Sequence, residues 1–476
     1  MCCRKKGTVK ICLVFPETTI FEDPMVFPPL GLFYLKAALQ ERGHEVDYVD
    51  MSEYLVDATG SRTKKYAVPP SRGYDAYLVS GTSPQAREIR RLGAYLRERG
   101  CTTIVGGPHV TNYAGPVTLG PDVPIIGETE PIDQQLLSVY HVAVKREGER
   151  AVLQALARLD EAHDYMARHG RGLVIQEPNI ADLGSIPIPD RSEAHKYHYL
   201  LDDEHGNKHR GTTMSSSRGC PERCAFCDSP ALWGRAVRYI PIPRVVEEFE
   251  QIRDLGFSAI HFFDDILPLA QPRMVEICKH LKSFGFYWRC FVRVDIMTHP
   301  KYGKPFMQMM YDHGLREVLV GVESGDQRIL DTIHKGTTVG QNTLVRQWCR
   351  EIGIRFKASV ILGLPSEDMA SMIATRKWVL ENRPDRVNIC TYIPFPGTPI
   401  SKGTDPRRAA EYGQDAVHGY DITMEIDTAL LDGDYFYAGS RDKLSVVTST
   451  SALSREQIQA FWQEFCQEVL DAGIPY

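Results

Sequence analysis

Cys220, Cys224 and Cys227 fall within one short stretch, Ser217-Arg-Gly-Cys-Pro-Glu-Arg-Cys-Ala-Phe-Cys-Asp228. A Cys-x3-Cys-x2-Cys spacing on a single loop can bring three thiolates around an iron–sulfur cluster, whose cubane form ordinarily takes four. Three protein ligands leave one iron open, and an open coordination position is where a metal site does chemistry rather than hold a fold together. A structural zinc site competes with this reading, because His205 or His209 just upstream could supply a fourth ligand. Disulfides compete poorly: two ring closures this short would strain.

The rest of the composition narrows the class. The 476 residues, 43% hydrophobic and 24% charged, are those of an ordinary globular protein with room for two or three domains. A net charge of −6 provides no global basic field, so no nucleic-acid partner is expected. No run of eighteen apolar residues occurs, so no membrane span is expected. Basic residues at Arg4, Lys5 and Lys6 precede Val9–Phe15, which is too short and interrupted for a signal peptide, and Cys2 and Cys3 read as part of an unmodified tail. Twelve cysteines, mostly inside apolar segments, fit a reducing compartment, and the expected location is cytoplasmic.

Two blocks of alternating strand and helix signals position the chemistry. In the first, Val9–Phe15, a helix at 31–43, Glu45–Asp50, Ala76–Ser80, a helix at about 84–99 and Thr102–Gly106 predict a doubly wound, Rossmann-like parallel sheet. In such sheets ligands bind beyond the carboxyl ends of the strands. The loops Gly81-Thr-Ser-Pro84 and Gly106-Gly-Pro-His-Val-Thr111 lie there and offer small residues and backbone amides. The proline-rich stretch 182–190 and the polar 191–210 read as a linker, giving a first domain over 1–160 and a linker over 161–210.

From Thr212 the rhythm restarts. The cysteine loop follows the first strand, and strands at 258–265, 287–293, 317–321, 357–362 and 387–392 make about six β-α units, a partial (β/α)6 barrel over 211–400. Active sites of α/β barrels gather at the carboxyl ends of the strands. The polar residues there are Asp264 and Asp265, Arg293 and Asp295, and Glu323. His261 reads as a core or barrel-lining histidine and His334 as a helix-end residue. Residues 401–476 form a small, mainly helical C-terminal region. Its last helix opens on the capping box Ser454-Arg-Glu-Gln457 and buries Ile458, Phe461, Trp462, Phe465 and Val469. The aromatic cluster 434–439 reads as packing.

The cysteine loop, Gly321-Val-Glu-Ser-Gly325, Lys335-Gly-Thr337, Ile361-Leu-Gly-Leu-Pro365 and Pro394-Phe-Pro-Gly-Thr-Pro399 together resemble the radical S-adenosylmethionine (SAM) superfamily. Pro28-Pro-Leu-Gly-Leu32, Gly106-Gly-Pro-His109 and Glu147-Gly-Glu149 resemble the N-terminal domain of its cobalamin-binding, class B methyltransferase-like branch. The matches run in order over roughly residues 9–400.

The resemblance implies that Cys220, Cys224 and Cys227 hold a [4Fe-4S] cluster whose open iron chelates SAM, and that an electron from the cluster cleaves SAM to a 5′-deoxyadenosyl radical. It implies SAM contacts from Phe226, Asp264, Asp265, Arg293, Glu323, Ser324 and Gly363. It implies cobalamin contacts from Pro29, Leu30, Gly31, Gly81, Thr82, Ser83, Gly106, Gly107, Pro108, His109, Glu147, Gly148 and Glu149. The third cobalamin element has a rival in Gly127-Glu-Thr-Glu130, and choosing 147–149 implies an insertion near 128–140. The Asp-x-His-x-x-Gly motif that supplies a cobalt-ligating histidine elsewhere is missing, so His109 is not expected on cobalt. Lys335 is expected to be solvated.

The expected function is methylation of an unactivated carbon of a small-molecule or peptide substrate, with an external one-electron reductant such as flavodoxin or ferredoxin. Two alternatives stand beside it: SAM-radical rearrangement, cyclisation or oxidation without methyl transfer, and a non-enzymatic electron-transfer or sensing protein. A methylthiotransferase would need a second cluster, and Cys2, Cys3, Cys12 and Cys101 make no convincing set.

Overall fold

The computed structural model describes residues 8–18, 23–56, 62–114, 133–395, 398–404, 420–424 and 446–475. They divide into two compact units. The first comprises the chain up to Tyr197 together with Ala231–Gly234, and the second the remaining described residues from His198 on.

The first unit is a six-stranded parallel sheet. Its strands are β1 (Lys10–Phe15), β2 (Glu45–Asp50), β3 (Ala76–Ser80), β4 (Thr103–Gly106), β5 (Val142–Lys145) and β6 (Leu173–Gln176), in the order β2-β1-β3-β4-β5-β6. The strands read as apolar runs because helices cover both faces, so Cys12, Val14, Val79 and Val105 are all buried. Helix α1 (Leu30–Glu41) follows β1, α2 (Ala86–Glu98) follows β3, α3 (Pro108–Tyr113) follows β4, and α4 (Gly148–Ala157) follows β5. Along α2 the apolar residues Ile89, Leu92 and Leu96 recur at helical spacing and all three are buried, while Arg91 faces solvent. The strand order reverses between β1 and β3, which opens a crevice at their carboxyl ends.

Residues 161–210 are structured rather than a bare connection. They include most of α5 (Leu159–His169), strand β6, and a tail whose Tyr197 hydroxyl donates to Asp50 at 2.5 Å and meets the Tyr48 hydroxyl at 2.6 Å. Past Tyr197 the same stretch enters the second sheet.

The second unit is built on a seven-stranded sheet. Its strands are β7 (Leu200–Asp202), β8 (Lys208–Met214), β9 (Ala259–Phe262), β10 (Tyr287–Val292), β11 (Leu315–Glu323), β12 (Arg355–Leu362) and β13 (Arg386–Thr391), in the order β13-β12-β11-β10-β9-β8-β7. Six are parallel and β7 runs antiparallel beside β8. Helices α6 (Ile242–Asp254), α7 (Gln271–Phe284), α8 (Gly303–Asp312), α9 (Val339–Ile352) and α10 (Met369–Asn382) form the crossovers. The C-terminal region adds a two-stranded ladder, Thr423–Met424 with Thr448–Ser449, and helix α11 (Arg455–Asp471). Ser454 caps α11, and Ile458, Phe461, Trp462, Phe465 and Val469 are buried beneath it. The 434–439 cluster, Gly127–Glu130 and Cys2–Cys3 lie outside the described residues. Among those residues no helix is long and apolar enough to cross a membrane.

Candidate functional site

The cysteine loop leaves the carboxyl end of β8 and is fastened at both ends by β9. Asp264, 1% exposed, accepts hydrogen bonds from the Ser216 amide (2.8 Å), the Ser216 hydroxyl (2.8 Å) and the Ser217 hydroxyl (2.5 Å). Asp265 accepts from the Gly219 amide at 3.1 Å and the Ser229 hydroxyl at 2.6 Å, bracketing the three cysteines. Arg273 adds bonds to the Ser216 and Ile240 carbonyls at 3.1 and 2.7 Å. Asp264 and Asp265, expected to contact SAM, thus direct their carboxyl groups into the loop. Burial drives the Asp264 carboxyl up to about 6 against these bonds.

Cys224 is buried, Cys220 and Cys227 partly so, and all three thiols are free. Burial pushes the Cys220 thiol up and the Cys227 thiol up to about 12. Thiolates in this loop therefore need positive charge beside them. The chain supplies one: Arg293 Nη1 reaches Cys224 Sγ at 3.4 Å, while the same guanidinium pairs with Asp295 (3.0 Å) and Glu222 (3.3 Å) and donates to the Lys335 carbonyl (2.7 Å). Among the described residues no group of three His, Cys, Asp or Glu converges on a single-ion site. His209 instead meets Asp203 at 3.1 Å and Ser258 at 3.3 Å, away from the cysteines. A cubane, which spreads its ligands over separate irons, fits this donor set.

Glu323 ends β11 in the left-handed region, φ 59°. Its carboxylate meets Lys335 Nζ at 2.7 Å, and that ammonium sits 5.8 Å from the centre of the Phe226 ring in the cysteine loop. Lys335 is 8% exposed, not solvated as expected. Gly321 makes room for the pair, since a Cβ there would collide with the Glu323 carboxylate. Ser324 is fully buried, and its hydroxyl lies 3.1 Å from that of Thr375 and accepts from the Asp326 amide at 3.1 Å. Gly363, at φ 80°, donates to the Glu367 carboxyl group at 2.6 Å; this buried acid fixes the turn after β12. His261 lines the sheet beside Arg289 at 3.2 Å, and His334 follows a short helix.

In the first unit the cobalamin candidates share one edge of the sheet. Gly81–Ser83 follow β3, Gly106–His109 follow β4, Glu147–Glu149 follow β5, and Pro29–Gly31 open α1 behind β1. The two glycine loops touch: the Gly81 amide donates to the Gly106 carbonyl at 3.3 Å. A Cβ on Gly107, at φ 99°, would lie 2.6 Å from the Gly81 carbonyl oxygen. Gly31 has nothing within 4 Å of where a Cβ would stand. Small residues and an open surface at the switch point fit a large planar ligand.

Several side chains on this edge are already engaged. His109 is 2% exposed, with Nδ1 3.3 Å from the Ser83 hydroxyl and Nε2 3.2 Å from Asp133, which also pairs with Arg90 at 2.8 Å. Both ring nitrogens are occupied. Glu147 accepts from the Ile180 amide at 2.5 Å, and Glu149 is buried in the first turn of α4. Asp133, Arg90, Ser216 and Arg273 were not singled out from the sequence.

A thiol loop at the carboxyl end of a parallel barrel sheet shares the chain with a doubly wound sheet, an arrangement that suits an enzyme joining SAM-radical chemistry to a corrinoid. The comparisons agree. Residues 214–379 match the radical SAM superfamily and residues 19–137 the B12 binding domain. An uncharacterized methyltransferase of Pyrococcus horikoshii is 28% identical over 416 residues, 82% of each chain. The hopanoid C-3 methylase of Methylococcus capsulatus is 24% identical over 82% of this chain and 71% of its own. The fold is also that of the radical SAM methyltransferase TsrM from Kitasatospora setae, solved with cobalamin and a [4Fe-4S] cluster (TM-score 0.64, 15% identity, 96% of this chain and 91% of that one). The chain belongs to the cobalamin-binding radical SAM family. Its cofactors are a [4Fe-4S] cluster, SAM and cobalamin.

Proposed function

We propose that this enzyme methylates an unactivated carbon of a small-molecule or peptide substrate, in the cytoplasm, with electrons from a flavodoxin- or ferredoxin-like donor. The observation that carries the reading is a three-thiol loop braced by Asp264 and Asp265 in a chain that also holds a B12 binding domain. In this reading Cys220, Cys224 and Cys227 hold the cluster. When bound, the cluster and cobalamin supply one-electron cleavage of SAM and a transferable methyl group.

The chain's own residues position and insulate. Asp265 fixes the loop's two ends, and Arg293 holds positive charge at the Cys224 sulfur. Lys335 orients Glu323, whose second carboxylate oxygen is then available to a ribose hydroxyl of SAM, with Phe226 beside the same ammonium and Gly363 as a further SAM contact of this reading. On the first unit, Pro29–Gly31, Gly81–Ser83, Gly106–Pro108 and Gly148 offer backbone and small side chains to the corrin, while His109 and Glu147 support those loops.

Anaerobic reconstitution followed by an absorption spectrum reports cluster and corrinoid together. Under reduction with SAM the protein should form 5′-deoxyadenosine, and turnover should add one methylene unit to the substrate's mass. Reconstituted protein that binds no corrinoid would sink the methyl-transfer assignment.

A further inference from the structure

The inner face of the barrel sheet carries a cation pair that the chemistry above does not use. Along β12, Phe356, Ala358, Val360 and Leu362 are buried, whereas Arg355, Lys357, Ser359 and Ile361 are partly exposed. On β13, Val387, Ile389 and Thr391 are buried, and Arg386, Asn388 and Cys390 are open. Helices α9 and α11 cover the buried side. The other side is therefore a polar face open to a ligand.

On that face Lys357 and Arg386 are register partners on adjacent strands, as are Ser359 and Asn388 one step nearer the carboxyl ends. Like charges placed side by side across a sheet repel. The nearby carboxylate, Glu317, is taken by Arg289 at 2.8 Å and faces Arg355 at 3.6 Å. Among the described residues neither the Lys357 ammonium nor the Arg386 guanidinium has an ion pair or hydrogen bond. Burial, then the Arg289 charge, lower the Lys357 ammonium below its ordinary value, and the Glu317 charge only partly offsets them.

We propose that Lys357 and Arg386, with Ser359 and Asn388 as hydrogen-bonding partners, form a subsite for an anionic group, carboxylate or phosphate, on the substrate. Lys357 lies three residues, about 10 Å of strand, below Val360, the register partner of Glu323. A substrate anchored there would extend its reacting carbon toward the cysteine loop. The inference rests on the enzyme reading above.

The test is a thermal melt of the full, anaerobically reconstituted chain in inorganic phosphate, in acetate and in chloride at matched ionic strength. Phosphate or acetate should raise the wild-type Tm above its value in chloride, and the arm that does so identifies the anion. Lys357→Gln and Arg386→Gln should each lose that increment, and Lys357→Arg should keep it. In chloride, Lys357→Gln should melt no lower than wild type, because it removes a repulsion. No anion-specific increment, an increment retained by both neutral variants, or a fall in Tm of Lys357→Gln in chloride would each overturn the subsite. The same wild-type preparation is assayed for bound corrinoid and 5′-deoxyadenosine. An increment without either would overturn the enzyme reading and the assignment to a substrate, whereas both without an increment would overturn the subsite alone.

Discussion

Lys335 Nζ lies 2.7 Å from Glu323 Oε1, and both side chains are buried at the carboxyl end of β11. The pair holds a glutamate whose backbone adopts φ 59°, a conformation that costs a non-glycine residue roughly 1–2 kcal/mol. Removing the cation leaves a buried carboxylate without its counter-charge, so Lys335→Met should lose about 3–5 kcal/mol of stability. Gly321→Ala should also destabilise, by about 1–3 kcal/mol, because its methyl would enter the space of the pair. Thermal melts of the full chain check both. If Lys335→Met melted like wild type, the ion pair would not be holding Glu323.

Asp265 joins Gly219 to Ser229 across the cysteine loop, so its effect should appear in metal retention. Partners that orient metal ligands are typically worth 10–100-fold in metal affinity, and Asp265→Ala should lose iron to a chelator roughly 10-fold more readily. Asp265→Asn, which keeps an amide oxygen as acceptor, should fall between the two. Iron per chain after chelator challenge is the measurement. Equal retention in all three proteins would remove Asp265 from the support of the loop.

Much of this arrangement was legible in the sequence, for a physical reason. Strands such as Glu45–Asp50 and Ala76–Ser80 are compact apolar or alternating runs bounded by turn residues, and they appear at those residues. The cysteine spacing is local, so it stands whole in the sequence. Strands β5 and β6, four residues each, are too short to show a period, and β6 fell inside the presumed linker. Asp264 and Asp265 stood out as strand-end acids, but their partners lie more than thirty residues away, and spacing carries no trace of such pairs. Lys335 misled for the same reason: its burial depends on Glu323 and Phe226, which only the folded chain brings together.

The chain Ser83–His109–Asp133–Arg90 yields a prediction for the first unit. Burial would raise the Asp133 carboxyl, but hydrogen bonds from His109 and the Leu136 amide, with the Arg90 charge, hold it below the usual range. Burial keeps His109 neutral by lowering its value below 6.5. On acidification the unfolded chain takes up this proton first, so stability should decline as pH falls from 6.5 toward the depressed native value. His109→Gln should remove that part of the decline. Melts between about pH 7.5 and pH 5.5 compare the slopes, and an unchanged slope in the variant would place the titration elsewhere.

Glu367 gives the opposite pH dependence. It is fully buried after β12, where its carboxyl oxygen accepts from the Gly363 amide at 2.6 Å and the Leu364 amide at 3.2 Å. Burial outweighs these bonds and pushes the carboxyl up to about 8. Between its ordinary 4.5 and about 8 the native state therefore keeps a proton that the unfolded state has released. Stability should fall with rising pH across that window, by up to about 1.4 kcal/mol per pH unit, and level off once the native carboxyl ionises as well. Glu367→Gln keeps an oxygen for the two amides and has no proton to lose, so it should match wild type near pH 5 and melt higher at pH 8. Glu367→Ala should lose about 1–3 kcal/mol at every pH, since it leaves both amides of the turn without their acceptor. If Glu367→Gln instead followed the wild-type pH profile, the carboxyl would be ionised in the native state and the turn at Gly363 would be held by a buried charge.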